Sequence, residues 1–332
     1  MVFLQTNMNI KTMTKSDLRR EIVLFLAYPF LEFAILILRF LPKTWRNHLG
    51  TFIGGLSYKW NEKTRTRTLA SLTTAYGATK SPAEIEVMAR EVLININKSV
   101  LDYFATAHIT KPERFFKFVE VVGEEHLKQA YEQKRGVICL IPHLSSWELS
   151  AVTPPMLGYK TCGASKSVKG FLLQHMMVRF RERRGMRNIS REGSYQKLVT
   201  ALKNGECLII MIDQDTKVKG LFVDFYGKKA YTPMGVARLA LETDAVVVPM
   251  ATTRIADSRY RFTIYPALET IKTGDSEKDL YANTQLETDV MEQIIRETPT
   301  QWVWMHRRWK TTPENLKIYL ERRALEKQKQ AK

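Results

Sequence analysis

The sequence predicts an α/β fold: a mostly parallel, mixed central sheet flanked by helices, preceded by an N-terminal hydrophobic membrane helix. Three observations carry this. Unbroken apolar runs recur at 137–141 (VICLI), 207–212 (CLIIMI) and 245–250 (AVVVPM), each after a helical segment, which is the pattern of strands buried on both faces. Strands alternating with helices imply parallel pairing, with sites at the carboxyl ends of the strands. Residues Ile22 to Leu38 form a 17-residue apolar run whose one charge is Glu32, at the short limit for a bilayer span.

Taken in order, the apolar run is flanked by Arg19 and Arg20 before it and by Arg39, Lys43 and Arg46 after it, with no small-residue cleavage site following, so it does not read as a removed signal peptide. Three readings stand: an interfacial helix, a span weakened by Pro29 and Glu32, and a buried core helix. The basic residues that follow, through Lys59, Lys63, Arg65 and Arg67, put the main domain on the cytoplasmic side if the segment is in a membrane. Residues 45–76 read as helical with a weak point at Gly54-Gly55. Ser81-Pro82-Ala83-Glu84 is a capping box with proline at the first helical position, opening a helix to about Phe104 whose apolar face carries Ile85, Met88, Val92 and Ile96. A strand at 118–122 and a helix at 124–134 precede the first buried strand, which ends at Pro142. Helices at 194–203 and 234–242 lead into the second and third buried strands. The run 260–265 alternates as a further strand, and 279–296 is an amphipathic helix. The simplest parse is a membrane-associated N-terminal helix at 1–45 and one catalytic domain at 46–332.

The composition, 332 residues and 45% apolar, allows a substantial core. Three cysteines, Cys139, Cys162 and Cys207, are widely spaced without C-x-x-C, which suggests neither a disulfide framework nor a thiolate metal site and favours a reducing compartment. The net charge of +17 calls for an anionic partner: nucleic acid, a membrane surface, or an acidic protein or substrate. Nine Lys or Arg residues against Glu182 alone lie between Lys160 and Arg191. No nucleic-acid-binding motif accompanies the charge, and the apolar N-terminal run favours a membrane, so a basic nucleic-acid-binding protein is a remote alternative.

The candidate chemistry centres on Ile141-Pro142-His143-Leu144-Ser145-Ser146-Trp147-Glu148, where the first buried strand ends in a histidine with a carboxylate five positions later. A neutral histidine can take a proton from a hydroxyl if a carboxylate holds its ring. On one α-helix the two side chains would diverge by about 140°, so the pair meets only if His143 lies on the turn and Glu148 in the next helix's first turn. The spacing by itself is common enough to be accidental. No nucleophile elbow is present, and Cys139 lies in the apolar strand, where a thiolate is disfavoured. Direct attack by a bound acceptor hydroxyl on an activated acyl group fits better than a covalent acyl-enzyme.

At this point the chain resembles the lipid A secondary (late) acyltransferases, lauroyl and myristoyl type, within the lysophospholipid acyltransferase superfamily. His143 and Glu148 match the H-x4-E form of the family's motif. The segments Asp213-Gln214-Asp215, Gly220 to Gly227 and Ala230 to Ala237 resemble its "DQ…G-x-F-V-x-F-F-G…A-x-T-P-x-G-x-A" block, and Gln301 to Lys310 its "Q-W-x-W-x-H-R-R-W-K" signature. The resemblance implies a glycerolphosphate-acyltransferase-like fold and transfer of a fatty acyl chain from acyl carrier protein, or acyl-CoA, to a hydroxyl of a lipid A precursor at the bacterial inner membrane. No cofactor or metal is implied. His143 and Glu148 would be catalytic; Arg181, Arg184, Asp213, Gln214, Arg307 and Arg308 would bind or orient substrate. Bland alternatives stay open for these: a solvated face for Arg181 and Arg184, and a structural arginine cluster for Arg307 and Arg308. Asp213, at the end of its strand as His143 is, reads as orienting site residues or the oxyanion-side loop; Asp213 and Asp215 also admit a metal reading with His143 or His175, although Lys217 and Lys219 lie close by. Trp302 and Trp304 read as core aromatics. Acceptors other than lipid A, namely another glycolipid, a lysophospholipid or an aminolipid, would use the same catalytic pair.

Overall fold

The computed structural model describes residues 15–165, 171–190, 194–216, 218–319 and 321. Of the positions singled out above, Lys166, Lys169, Arg191 and Lys217 lie outside them, as does the chain from 322. Among the described residues four helices come first: α1 (Lys15–Phe40), α2 (Lys43–Trp60), α3 (Glu62–Tyr76) and α4 (Pro82–Thr106). The α4 start is the expected capping box: Ser81 N–H donates to Glu84 Oε2 at 2.8 Å, and Glu84 N–H donates to Ser81 Oγ at 3.3 Å. The predicted weak point at Gly54-Gly55 is not one. The chain breaks instead at Asn61, whose side chain accepts from Thr64 N–H at 3.1 Å and caps α3. Gly54 serves a different end, because a Cβ there would lie 2.5 Å from Ile94 Cα on α4, and its absence lets the two helices close together.

The remaining elements are α5 (Pro112–Phe115), β1 (Val119–Val122), α6 (Glu124–Glu132), β2 (Val137–Leu140), α7 (Trp147–Met156), β3 (Thr161–Ser165), α8 (Phe171–Glu182), β4 (Met186–Ser190), α9 (Tyr195–Lys203), β5 (Cys207–Ile210), β6 (Gly220–Phe225), β7 (Lys228–Pro233), α10 (Gly235–Thr243), β8 (Val246–Ala256), β9 (Arg259–Ile264) and α11 (Ser276–Glu297). Seven strands form one sheet in the order β1-β9-β8-β2-β5-β3-β4. All neighbours pair in parallel except β8 and β9, which are antiparallel, so the sheet is mostly parallel and mixed, as predicted. β6 and β7 form a separate hairpin. Gly136, with φ +80, lies against the Leu202 carbonyl and opens β2 where a Cβ would clash. β2 is buried along its whole length between β8 and β5, which accounts for its continuous apolar run.

The core-helix reading of the apolar N-terminal run does not hold. None of Val23–Phe40, with mean hydropathy 2.0, is buried inside the protein, and Phe25, Leu26, Phe30, Phe33 and Phe40 are each more than half exposed. One side of α1 does meet the domain: Tyr28, Leu31 and Ile35 pack against the core. Glu32, the charge that weakened the spanning reading, accepts from Arg179 Nη2 at 2.7 Å and Tyr28 O–H at 2.5 Å. Pro29 is carried inside the helix without ending it.

Charge elsewhere is also paired more than the sequence window suggests. Between Lys160 and Arg191, Lys160 and Arg187 both reach Glu206, Arg179 reaches Glu32, and Arg181 reaches Glu148. These acids are distant in sequence, so a local count of charge missed them. Arg46, one of the basic residues flanking the apolar run, is buried on Asp102 at 3.3 Å. Asp102 also accepts from Ser258 O–H at 2.5 Å, Arg254 Nη1 at 2.5 Å and Tyr260 O–H at 2.8 Å, tying α2 and α4 to the β8–β9 edge.

Candidate active site

The site is built by strand register. β2 and β5 are adjacent and parallel, with Leu140 opposite Ile210, and Ile141 N–H still donates to the Ile210 carbonyl at 3.1 Å. His143 and Asp213 each stand three residues beyond those partners, so two residues 70 apart in sequence emerge side by side at the carboxyl end of the sheet.

The contact between them is close and twofold. His143 Nδ1 lies 2.6 Å from Asp213 Oδ1, and His143 N–H donates to Oδ2 at 2.6 Å. Oδ2 also accepts from the Trp302 indole N–H at 2.8 Å. Asp213 is 1% exposed. Burial alone pushes its carboxyl up, yet the charge of His143 and the hydrogen bonds from His143 and Trp302 outweigh it and hold the carboxyl below its ordinary value. With a carboxylate at Nδ1, the favoured neutral tautomer carries its proton there and leaves Nε2 as the free base. The His143 side chain remains 20% exposed, and the Trp147 ring stands 5.6 Å from it.

Glu148 does not take the place expected of it. It sits in the first turn of α7, as predicted, but Arg181 from α8 grips its carboxylate with two bonds, Nε to Oε2 at 2.8 Å and Nη2 to Oε1 at 2.5 Å. The guanidinium fork matches a carboxylate edge to edge, while the His143 ring faces β5. The carboxylate that holds His143 is therefore Asp213, and the fork of Arg181, expected on substrate, is engaged by Glu148.

Two further arginines are corrected. Arg184 is 2% exposed; its Nε donates to the Ile109 carbonyl at 3.1 Å and its Nη2 to that of Thr106 at 2.5 Å, with Tyr103 and Phe115 rings beside it. Arg308 is fully buried, donates to the Tyr231 carbonyl at 2.8 Å and to Thr232, and lies over Phe225; burial pushes it down to about 10. Both brace the protein from inside and neither is open to a substrate. Arg307 is exposed and Gln214 half-buried, so both remain accessible beside the site.

The C-terminal signature closes over the site as a clamp. Trp302 forms an isolated bridge with Leu144, and Ser145, held at φ +48, donates its N–H to the Gln301 carbonyl at 2.8 Å. Asp215 accepts from Thr311 N–H and O–H at 2.6 and 2.8 Å and donates its own N–H to His306 Nε2 at 3.0 Å. Its carboxylate, like that of Asp213, is turned onto protein donors, and among the described residues no group of three or more His, Cys, Asp or Glu side chains is placed to hold a metal. Burial, the larger cause, keeps His306 below the ordinary imidazole value against the pull of Asp213 and Asp215. Trp302 and Trp304 are fully buried core aromatics, as read. Sequence reasoning missed the indole of Trp302 and the ring of His306 as partners of the Asp213 to Asp215 loop; their signal was the shared motif block, whose members proved to be neighbours.

Comparison with known proteins gives the family. The family model described as bacterial lipid A biosynthesis acyltransferase matches residues 13–311. The lipid A biosynthesis palmitoleoyltransferase of Escherichia coli (strain K12) is 28% identical over 273 residues, covering 80% of this chain and 85% of that one. The lipid A biosynthesis lauroyltransferase of the same organism is 27% identical over 208 residues, covering 61% and 65%, so the acyl type of the relatives varies. The phosphatidylinositol mannoside acyltransferase of Mycolicibacterium smegmatis is 26% identical over 195 residues, covering 58% and 62%. The solved 1-acyl-sn-glycerophosphate acyltransferase of Thermotoga maritima overlaps at a TM-score of 0.37 with 13% identity, covering 79% of this chain and 99% of that one. The matched span holds the whole sheet, the ends of β2 and β5 and the C-terminal clamp through Thr311, and the chain belongs to the family of bacterial lipid A biosynthesis acyltransferases.

Proposed function

We propose that the protein transfers a fatty acyl chain from an acyl thioester, carried on acyl carrier protein, to a hydroxyl of a lipid A precursor at the cytoplasmic face of the inner membrane. The observation that carries the mechanism is the His143–Asp213 pair, with Nδ1 bound and Nε2 free. Nε2 accepts the proton of the acceptor hydroxyl as its oxygen attacks the thioester carbonyl carbon. Asp213 stabilises the imidazolium that results. The tetrahedral intermediate collapses by breaking the C–S bond, and His143 returns the proton to the departing thiolate. Glu148, in this reading, acts through Arg181 to hold the start of α7, and with it the loop that carries His143. The pairing of α1 through Glu32 and Arg179 favours a membrane segment docked on the catalytic domain over a detached tether, and its exposed phenylalanines suit acyl chains as neighbours. The parse into a membrane element at 1–45 and a catalytic domain at 46–332 goes with this reading.

A second acceptor, another membrane glycolipid, is favoured by the mycobacterial relatives that act on phosphatidylinositol mannosides. Purified enzyme, defined lipid A precursors, a phosphatidylinositol mannoside as the other acceptor, and a ladder of acyl donors on carrier protein and on coenzyme A test both. Acylated lipid A by mass spectrometry supports the first reading; inert lipid A with an acylated glycolipid replaces it with the second.

A further inference from the structure

We infer that Trp302 is a positioning residue of the reaction: its indole N–H holds the buried Asp213 carboxylate in the plane that keeps an oxygen on His143 Nδ1, and so keeps Nε2 the base. The inference rests on the His143 reading above and adds a residue that never reaches substrate.

Asp213 has two oxygens in unequal settings. Oδ2 is filled by two donors, the His143 main-chain N–H at 2.6 Å and the Trp302 indole N–H at 2.8 Å, whereas Oδ1 is given to the imidazole at 2.6 Å. The Asp213 side chain is 0% exposed, so protein donors and not bulk solvent satisfy it. Rotation of the carboxylate by half a turn would exchange the oxygens without consequence, but a tilt out of this plane would break bonds to fixed donors. The main-chain donor travels with His143 itself, whereas the indole anchors Asp213 to a separate element. A carboxylate free to tilt would lose its line to Nδ1, and the competing tautomer, with the proton on Nε2, cannot act as a base.

Trp302 is well suited to hold still. It is fully buried, packs edge-on to Trp304 with centroids 4.7 Å apart and lies 5.6 Å from Phe225. Its backbone bridges Leu144, next to His143. One residue thus touches both strand-end loops, by main chain on the β2 side and by side chain on the β5 side. Phenylalanine in its place would keep much of the ring packing and remove the N–H.

The test compares Trp302→Phe with the wild type for folding, for kcat and KM with both substrates, and for the pH profile of kcat/KM. The expected result is a ten- to hundredfold fall in kcat, roughly the loss of one charge-assisted hydrogen bond, with each KM within about twofold. The acid limb should move to lower pH, because a carboxylate tilted away from Nδ1 stabilises the imidazolium less. A merely structural role would lower the melting temperature and scale the profile without moving that limb. A second readout uses the wild type alone, so it stands even if the variant does not fold. With indole nitrogens labelled, one of the six tryptophan N–H resonances should titrate in step with the acid limb. A folded Trp302→Phe with unshifted profile, or indole signals flat across that range, overturns the inference. Failure of the base reading is seen separately, as transfer retained by His143→Ala.

Discussion

Replacing Asp213 by asparagine changes one atom and should nearly silence the enzyme, for a reason that follows from the donors around it. The site of Oδ2 faces two N–H groups, from His143 and Trp302. In Asp213→Asn the amide oxygen must occupy that position, since an NH2 there would confront both donors. The NH2 group is then forced toward His143 Nδ1, where it can only donate. His143 must present a lone pair at Nδ1 and carry its proton on Nε2, so the base facing the substrate is lost, and the negative charge that would stabilise the imidazolium is lost with it. A fall in kcat on the order of 10³–10⁴ is expected, about 4–5 kcal/mol of activation free energy, with the melting temperature little changed because all three hydrogen-bonded positions are kept. The assay is single-turnover acyl transfer from carrier-bound thioester to a defined precursor, with circular dichroism as the control for folding. A folded Asp213→Asn within tenfold of the wild type would refute the reasoning, most plainly if Glu148→Gln were the inactive variant.

Other consequences are open to direct measurement. Arg181→Met leaves the Glu148 carboxylate without its partner in a setting only 13% exposed and should destabilise the protein by about 3 kcal/mol by denaturant titration; Glu148→Gln should slow transfer less than Asp213→Asn. Asp102→Ala strands Arg46 and Arg254, both largely buried, and should lower stability by about 3–5 kcal/mol while leaving the rate per folded molecule near wild type, as read by active-site titration. His306 has a folded value below its ordinary one; the stability it contributes is therefore complete above the unfolded imidazole value of about 6.5 and is lost as pH falls through the folded one. Melting temperatures below that pH should decline less steeply in His306→Gln, whose side-chain oxygen can still accept from Asp215 N–H.

The sequence made some of this legible and hid the rest for identifiable reasons. β2, β5 and β8 stood out because strands covered on both faces are continuously apolar, and α4 because Ser81 and Glu84 write its start locally. β3 (TCGAS) and β4 (MRNIS) carry no apolar run and were not expected. The hairpin β6–β7, turning at Tyr226 and Gly227 with φ +53 and +69, lay within a motif and was read as one. His143 was found because a histidine ending a buried strand is a local signal. Asp213 was read as orienting site residues, but its direct pairing with His143 was not, since the two become neighbours only through the β2–β5 register. Glu148, five residues away, was the nearest carboxylate in sequence and proved to serve Arg181. The misreading of Arg184 and Arg308 has a similar origin, because nothing in a basic cluster tells which members turn inward to main-chain carbonyls.

We propose His143, held by Asp213, as the base that takes the acceptor's proton. Single-turnover transfer by a folded His143→Ala variant tests it most directly. A loss on the order of 10³ or more with acceptor binding intact is expected; transfer at the wild-type rate would rule His143 out as the base.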